Sequence, residues 1–226
     1  IEEYVNLILQ IEAVACKDYL TNKVDRSVTG KIAKQQCCGE IQLPLNNLGA
    51  VTFDYSNFSG IVNSIGHAPV AALIDPAMAS VLAISEALTN IIWAPIVGGL
   101  KGVSLSANWM WSCKNEGEDA RLYSAVEAAS VFARKLGINI PTGKDSLSMT
   151  QKYPNGDVVF APGTVIISAA AETSDVRKIV EPVLKKDENT ILLYIPFSTG
   201  KLSLGGSSFA QIINGIGTDV PEISDT

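Results

Sequence analysis

Apolar positions recur at helical spacing over two long stretches of the chain. Between 76 and 94, Met78, Val81, Leu82, Leu88, Ile91 and Ile92 follow the three- and four-residue steps of an α-helix. Asp75-Pro76 opens it, since proline in the first turn lacks only an N–H that would have no helical partner. Pro95 and Gly98-Gly99 close it. A second helix, from about Glu118 to Leu136, buries Leu122, Ala125, Ala129, Phe132 and Leu136, with Gly137 where a left-handed terminating residue belongs. Val5, Ile8, Leu9, Ile11 and Val14 suggest a further helix over 1–16, and residues 22–46 read as an irregular, glycine-punctuated segment.

Strands are expected at 50–53, 103–106 and 138–140, the last followed by a loop over 141–146. Residues 163–171 are apolar without alternation, the pattern of a strand covered on both faces. After Ser174 the chain turns charged through Pro182, Lys185, Lys186, Asp187 and Glu188, then offers a strand at 191–195 and a helix led by Gly205. The pattern predicts an α/β fold. It divides into an N-terminal helix and linker over 1–22, a main domain over 23–174, and the truncated start of a second domain over 175–226.

Composition narrows the function classes. Of 226 residues, 47% are apolar and 18% charged, which excludes a disordered chain. Seventeen basic and 23 acidic side chains give a net charge of −6, interspersed and without a basic stripe, so no nucleic-acid partner is expected. The apolar stretch near 160–170 is broken by Pro162, Gly163 and Ser168, so no membrane span is expected. Glu2 and Glu3 stand where a signal peptide would be basic, and Cys16, Cys37, Cys38 and Cys113 lack CxxC spacing. Free thiols in a reducing cytoplasm are the expectation. The single histidine, His67, excludes His-rich zinc sites and has no nucleophile near it in sequence, so it reads as structural.

The familiar phosphate loops fail. Gly143-Lys144 resembles the end of a P-loop, but the required glycine and hydroxyl positions hold Ile138 and Asp145. Glu86 and Asn90 lie four apart, hence one turn apart on one helix face. They read either as a solvent-facing stripe or as oxygen ligands for a hard cation such as Mg²⁺. Asn108, between Trp109 and Ala107 at a strand end, and Lys144, Asp145 and Ser146 in one turn, read either as packed corner and solvated loop or as parts of an active site.

Four long motifs, in order, carry a resemblance: Lys23–Gly30, Gly66-His67-Ala68-Pro69 through Glu86-Ala87-Leu88-Thr89-Asn90, Ser106-Ala107-Asn108-Trp109, and Gly143–Met149. They closely resemble the large single-chain phosphoribosylformylglycinamidine synthases, ligases of de novo purine synthesis that use ATP, Mg²⁺ and glutamine. The resemblance implies the N-terminal part of the second of two tandem modules similar to aminoimidazole ribonucleotide synthetase, an α/β (α+β) fold with a mixed sheet packed by helices, followed by the truncated start of the C-terminal part. The two N-terminal parts pair as a pseudo-dimer with a shared active site. The partners implied are therefore the remaining domains of the same enzyme, the first copy and the glutaminase. A homodimer is the expected substitute when the fragment is alone.

The resemblance further implies an auxiliary ADP–Mg²⁺ site. Lys17 and Asn46 fall at its nucleotide contacts, and Asn47, Glu86 and Asn90 at its metal ligands. Where the family usually has an aspartate ligand, this sequence has Asn47. Asn108, Lys144, Asp145 and Ser146 match segments facing substrate and ATP phosphates across the pseudo-dimer. In the parent reaction ATP activates the substrate amide oxygen as an iminophosphate, and ammonia displaces phosphate. A fragment of this length is expected to be inactive alone. The alternative is a structural pairing module whose nucleotide site has degenerated, the reading that Asn47 favours.

Overall fold

The computed structural model describes residues 1–21, 30–198 and 200–223. Most of the Lys23–Gly30 motif therefore lies outside the described residues. The chain opens with α1 (Glu2–Ile8) and α2 (Asp18–Thr21), followed by β1 (Ile32–Lys34), β2 (Leu48–Thr52) and β3 (Gly60–His67). Then come α3 (Pro69–Ile74), α4 (Pro76–Ile91), β4 (Val103–Met110), α5 (Glu118–Leu136) and β5 (Asn139–Ser146). A hairpin of β6 (Thr150–Lys152) and β7 (Val158–Phe160) precedes β8 (Thr164–Thr173), and α6 (Ser208–Ile212) follows.

Six strands form one mixed sheet in the order β1-β2-β3-β8-β4-β5. Every neighbouring pair is antiparallel except β4 and β5, which run parallel. The fold is thus α/β as the pattern predicts, with the mixed sheet that the resemblance implies and α4 and α5 as the two long helices. The Asp75 side chain caps α4 by accepting from Met78 N at 2.9 Å. Gly137, at φ 69°, ends α5 in the left-handed conformation.

The main core lies between α4, α5 and one face of the sheet. Ile84, Ile91, Val62, Leu105 and Ile167 are fully buried there, each contributing about 1.5–3 kcal/mol. The approach of α4 to β3 is unusually close at Gly66, where a Cβ would stand 2.1 Å from Ala83 O and 2.5 Å from Ala87 N. Only a residue without a side chain fits.

Several expectations are corrected. Residues 163–171 are not covered on both faces: Val165, Ile167, Ala169 and Ala171 are buried, whereas Ile166, Ser168 and Ala170 are half-buried on the other side. With the exposed Ile61 and Ile65 of β3, they form an open sheet face. The 141–146 segment is strand, not loop. Parallel pairing with β4 supplies its backbone partners, and Pro141 falls at a register shift between Ser104↔Asn139 and Ser106↔Thr142, where a missing N–H is tolerated.

β4 runs to Met110, so Asn108 lies within a strand. Strands β1, β3, β6 and β7 and helix α3 are additions, β1 falling inside the segment 22–46 that reads as irregular. The N-terminal helix ends at Ile8 and gives way to turns before α2.

Residues 191–195 form no strand and stand exposed, although their composition is strand-like. The helix after Gly205 is short and capped by Ser207, whose Oγ accepts from Ala210 N at 3.1 Å. The charged segment past Ser174 stays attached to the first core, since Val176 and Ile179 are buried in it. Farther on, Val220 packs with Ala71, Ala72 and Ala79, and the ring of Phe209 meets Tyr4 edge-on at 5.5 Å.

Candidate functional site

The site grows from the end of a strand. β2 begins at Leu48, opposite Ser64, so Ile65–His67 of β3 extend past it with one side of their backbone unpaired by β2. Helix α4 supplies the missing partners. The Glu86 Oε2 accepts from His67 N at 2.7 Å, and Asn90 Nδ2 donates to Ile65 O at 3.1 Å. Beneath them the buried Ser64 hydroxyl donates to Ala87 O at 2.6 Å. The helical pair read from sequence faces solvent at Glu86 and is half-buried at Asn90, and each side chain satisfies a strand overhang.

Both bonds leave an oxygen over. Glu86 Oε1 and Asn90 Oδ1 accept no hydrogen bond among the described residues. The two residues line a cavity of about 530 Å³ whose other walls include Asn46, Asn47, Asn63, His67 and Lys34. A smaller cavity of about 240 Å³ adjoins it, sharing Asn46, Asn47 and Asn90 and reaching Glu181.

Asn46 is buried, and its Nδ2 is spent on the carbonyls of Gln35 at 2.9 Å and Leu48 at 2.8 Å. It shapes the turn into β2 and so presents its neighbour, Asn47, as an exposed side chain. Lys17 does not line the cavity: its Nζ donates to the carbonyls of Glu12 and Ala15 in the N-terminal turns. The structure thus brings together Asn46, Asn47, Glu86 and Asn90 and leaves Lys17 apart. It adds Lys34, which no spacing in the sequence marks.

Among the described residues no three His, Cys, Asp or Glu side chains gather as a metal cluster. The cavity offers one carboxylate and several amides. That donor set fits Mg²⁺ in its usual setting, where one or two carboxylates hold the ion and phosphate oxygens and water complete its shell.

The second group of candidates lies at the far edge of the sheet. Asn108 pairs with Lys144, Trp109 with Asp145 and Met110 with Ser146 across β4 and β5. Lys144 Nζ donates to Ser146 Oγ and, at 3.2 Å, to Asp145 O, and Lys144 and Asp145 are exposed. Of the tryptophans beside them, Trp109 packs half-buried against the core. Trp111 is buried, its Nε1 donates to Glu118 Oε2 at 2.8 Å, and its ring lies against Gly163, where a Cβ would stand 2.2 Å from it. None of the four cysteines forms a disulfide; burial, with Asp119 and Glu118 nearby, pushes the Cys113 thiol above its usual value.

Among the described residues no helix is long and apolar enough to cross a membrane. The chain is 43% identical over 220 residues to the "Probable phosphoribosylformylglycinamidine synthase" of Caenorhabditis elegans, covering 96% of this chain and 16% of that protein. It is 41% identical over 224 residues to phosphoribosylformylglycinamidine synthase of Homo sapiens, covering 99% of this chain and 17% of that one. The chain therefore spans about a sixth of the length of these relatives.

Among solved structures, PurLQS and PurL complexed with ADP, both from Thermotoga maritima, share the fold at TM-scores of 0.54 and 0.53. Each is 13% identical, with 74% of this chain and 25% of that chain covered. The model for the FGAR-AT PurM_N-like domain matches residues 16–172, and the chain belongs to that family.

Proposed function

We propose that this chain is part of a phosphoribosylformylglycinamidine synthase, the ATP- and glutamine-dependent ligase of purine synthesis. On this reading the cavity beside the start of β2 is an auxiliary ADP–Mg²⁺ site. The observation that carries the site is the pair of uncommitted oxygens, Glu86 Oε1 and Asn90 Oδ1, fixed on one cavity wall by bonds to the β3 overhang. Similarity over nearly the whole chain to synthases carries the enzyme class. A fold neighbour is complexed with ADP, which supports nucleotide binding by this fold.

Glu86, Asn90 and Asn47 would hold the cation from the protein side, and the cation would screen the phosphate charge. With a single carboxylate the site is a weak one, and ADP–Mg²⁺ binding by the 226 residues alone lies in the high-micromolar range or above. Asn108, Lys144, Asp145 and Ser146 form half of a shared active-site wall, completed by the other domains of the synthase. The chain alone catalyses no synthase or glutaminase reaction.

A second reading, a pairing module with a degenerate nucleotide site, is favoured by Asn47 and by the open sheet face around Ile61, Ile65 and Ile166. Both readings predict association through that face, as a pseudo-dimer within the enzyme or as a homodimer of the isolated chain. To test the function, these 226 residues replace the matching segment of the human synthase. The proposal predicts purine-independent growth of a synthase-deficient host, abolished by Glu86→Ala. A chimera that is folded and abundant but inactive contradicts it.

A further inference from the structure

Lys34 is the only lysine or arginine in the wall of the larger cavity among the described residues. It closes β1, and its Nζ donates to Glu181 Oε1 at 2.7 Å, with the two side chains 20% and 34% exposed. Glu181 stands on the segment after the Asp175–Arg177 turn. That segment is pinned to the end of α4 by Val180 N donating to Trp93 O at 3.0 Å. Glu181 also lines the smaller cavity, whose shared wall is Asn46, Asn47 and Asn90. A cation and an anchored acid therefore meet at the junction of the two cavities.

We propose that Lys34 is the phosphate-facing cation of this site and that Glu181 competes with the ligand for it. The inference rests on the nucleotide reading above and assigns a residue and a control to it. An ammonium carries three N–H donors, and Glu181 engages Lys34 through a single carboxylate oxygen. A diphosphate entering beside Asn47 would meet the remaining donors, but against a charge that Glu181 already neutralises. Glu86 is the other charged side chain of the larger cavity, and it repels phosphate unless a cation intervenes. The ligand class is a di- or polyphosphate carried with a divalent cation, and its affinity is set by how far Glu181 holds Lys34. Lys17, bonded to the carbonyls of Glu12 and Ala15, takes no part.

Calorimetric titration of the chain with ADP and with inorganic pyrophosphate, each with MgCl₂ at fixed ionic strength up to millimolar ligand, tests this. Glu181→Gln tightens both ligands about threefold or more, and Lys34→Gln weakens both about tenfold, the scale of one charge-assisted bond. Lys34→Arg retains most of the affinity, and Lys17→Gln stays within about twofold. Glu181→Gln has no effect once Lys34 is glutamine. Melting temperatures of the variants confirm that each is folded. ADP binding that ignores both Lys34 and Glu181, or that falls with Lys17→Gln as much as with Lys34→Gln, overturns this inference and leaves the site standing. No binding of either ligand by the unaltered chain or by Glu181→Gln overturns both.

Discussion

The two groups of candidate residues occupy opposite kinds of place. Asn47, Glu86 and Asn90 stand in a concave corner where one strand outruns its neighbour, and two of the three are tied to backbone. Lys144 and Asp145 stand exposed on the edge strand β5, beside Asn108 and Ser146, and Lys144 is satisfied by its own neighbours. A corner can exclude water from several sides and hold a small ligand unaided. An edge offers one surface and needs a second against it. On the proposed function, the difference separates a site that this chain carries from a site that it shares.

The sharpest way to break the corner is at its frame. Gly66→Ala drives a methyl into Ala83 O and Ala87 N, and we expect about 3 kcal/mol or more of lost stability in urea unfolding, with binding lost as α4 lifts. Gly99→Ala, where a Cβ meets nothing within 4 Å but φ is +60°, serves as a control with a much smaller loss.

Glu86 separates frame from ligand. Glu86→Ala removes the acceptor of His67 N and costs about 1 kcal/mol, along with the cation. Glu86→Gln keeps an acceptor oxygen, so stability holds within about 0.5 kcal/mol while the Mg²⁺ dependence of ADP binding disappears. Equal Mg²⁺ dependence in the glutamine variant would detach Glu86 from the metal. Asn47→Asp should act in the opposite sense, tightening ADP–Mg²⁺ by roughly three- to tenfold through a second carboxylate. No gain on calorimetry would move the ion elsewhere.

Acid reaches the corner through the segment that carries Glu181. Asp175 accepts from Arg177 Nε at 2.9 Å and Nη2 at 2.8 Å, and the guanidinium lies 3.5 Å from the centre of the Phe58 ring. This pairing, with the Arg177 N–H, holds the carboxyl down from the ordinary 3.8 to about 2. A carboxyl depressed in the folded state stabilises above its unfolded value and loses that contribution as pH falls through the folded one. Melting temperature should therefore drop between about pH 4 and pH 2, and less steeply in Asp175→Asn. The smallest effects belong to the edge. Lys144→Ala and Asp145→Ala should shift stability by less than about 0.5 kcal/mol and leave ADP binding by the isolated chain unchanged.

The long helices were legible because their apolar residues repeat at one period over sixteen residues or more. Strand β3 was not, because its inward positions are Gly60, Val62, Ser64 and Gly66 while Ile61 and Ile65 face out. Alternation cannot reveal which side is buried when the larger apolar residues take the open one. The start of β5 was read at 138–140, but its continuation over 141–146 was hidden by Pro141 and Gly143, which punctuate loops in most contexts.

At the site, the four-residue spacing of Glu86 and Asn90 was visible, and the resemblance placed Asn46 and Asn47 beside them. What anchors them was invisible, because it depends on β2 beginning only at Leu48. The pairing of Lys34 with Glu181 joins residues 147 apart in the chain, and no local pattern announces it.

The comparison between corner and edge comes down to where a nucleotide-bound cation sits. Chain labelled with ¹⁵N at asparagine side chains, given ADP and a trace of Mn²⁺ in place of Mg²⁺, reports this even for weak binding, because the paramagnetic ion broadens nearby amide signals. The account predicts broadening at Asn47, Asn90 and Asn63, none at Asn108, and loss of the effect in Glu86→Gln. Broadening centred on Asn108 with Asn47 and Asn90 untouched, or no residue-specific broadening at millimolar ADP, would contradict it.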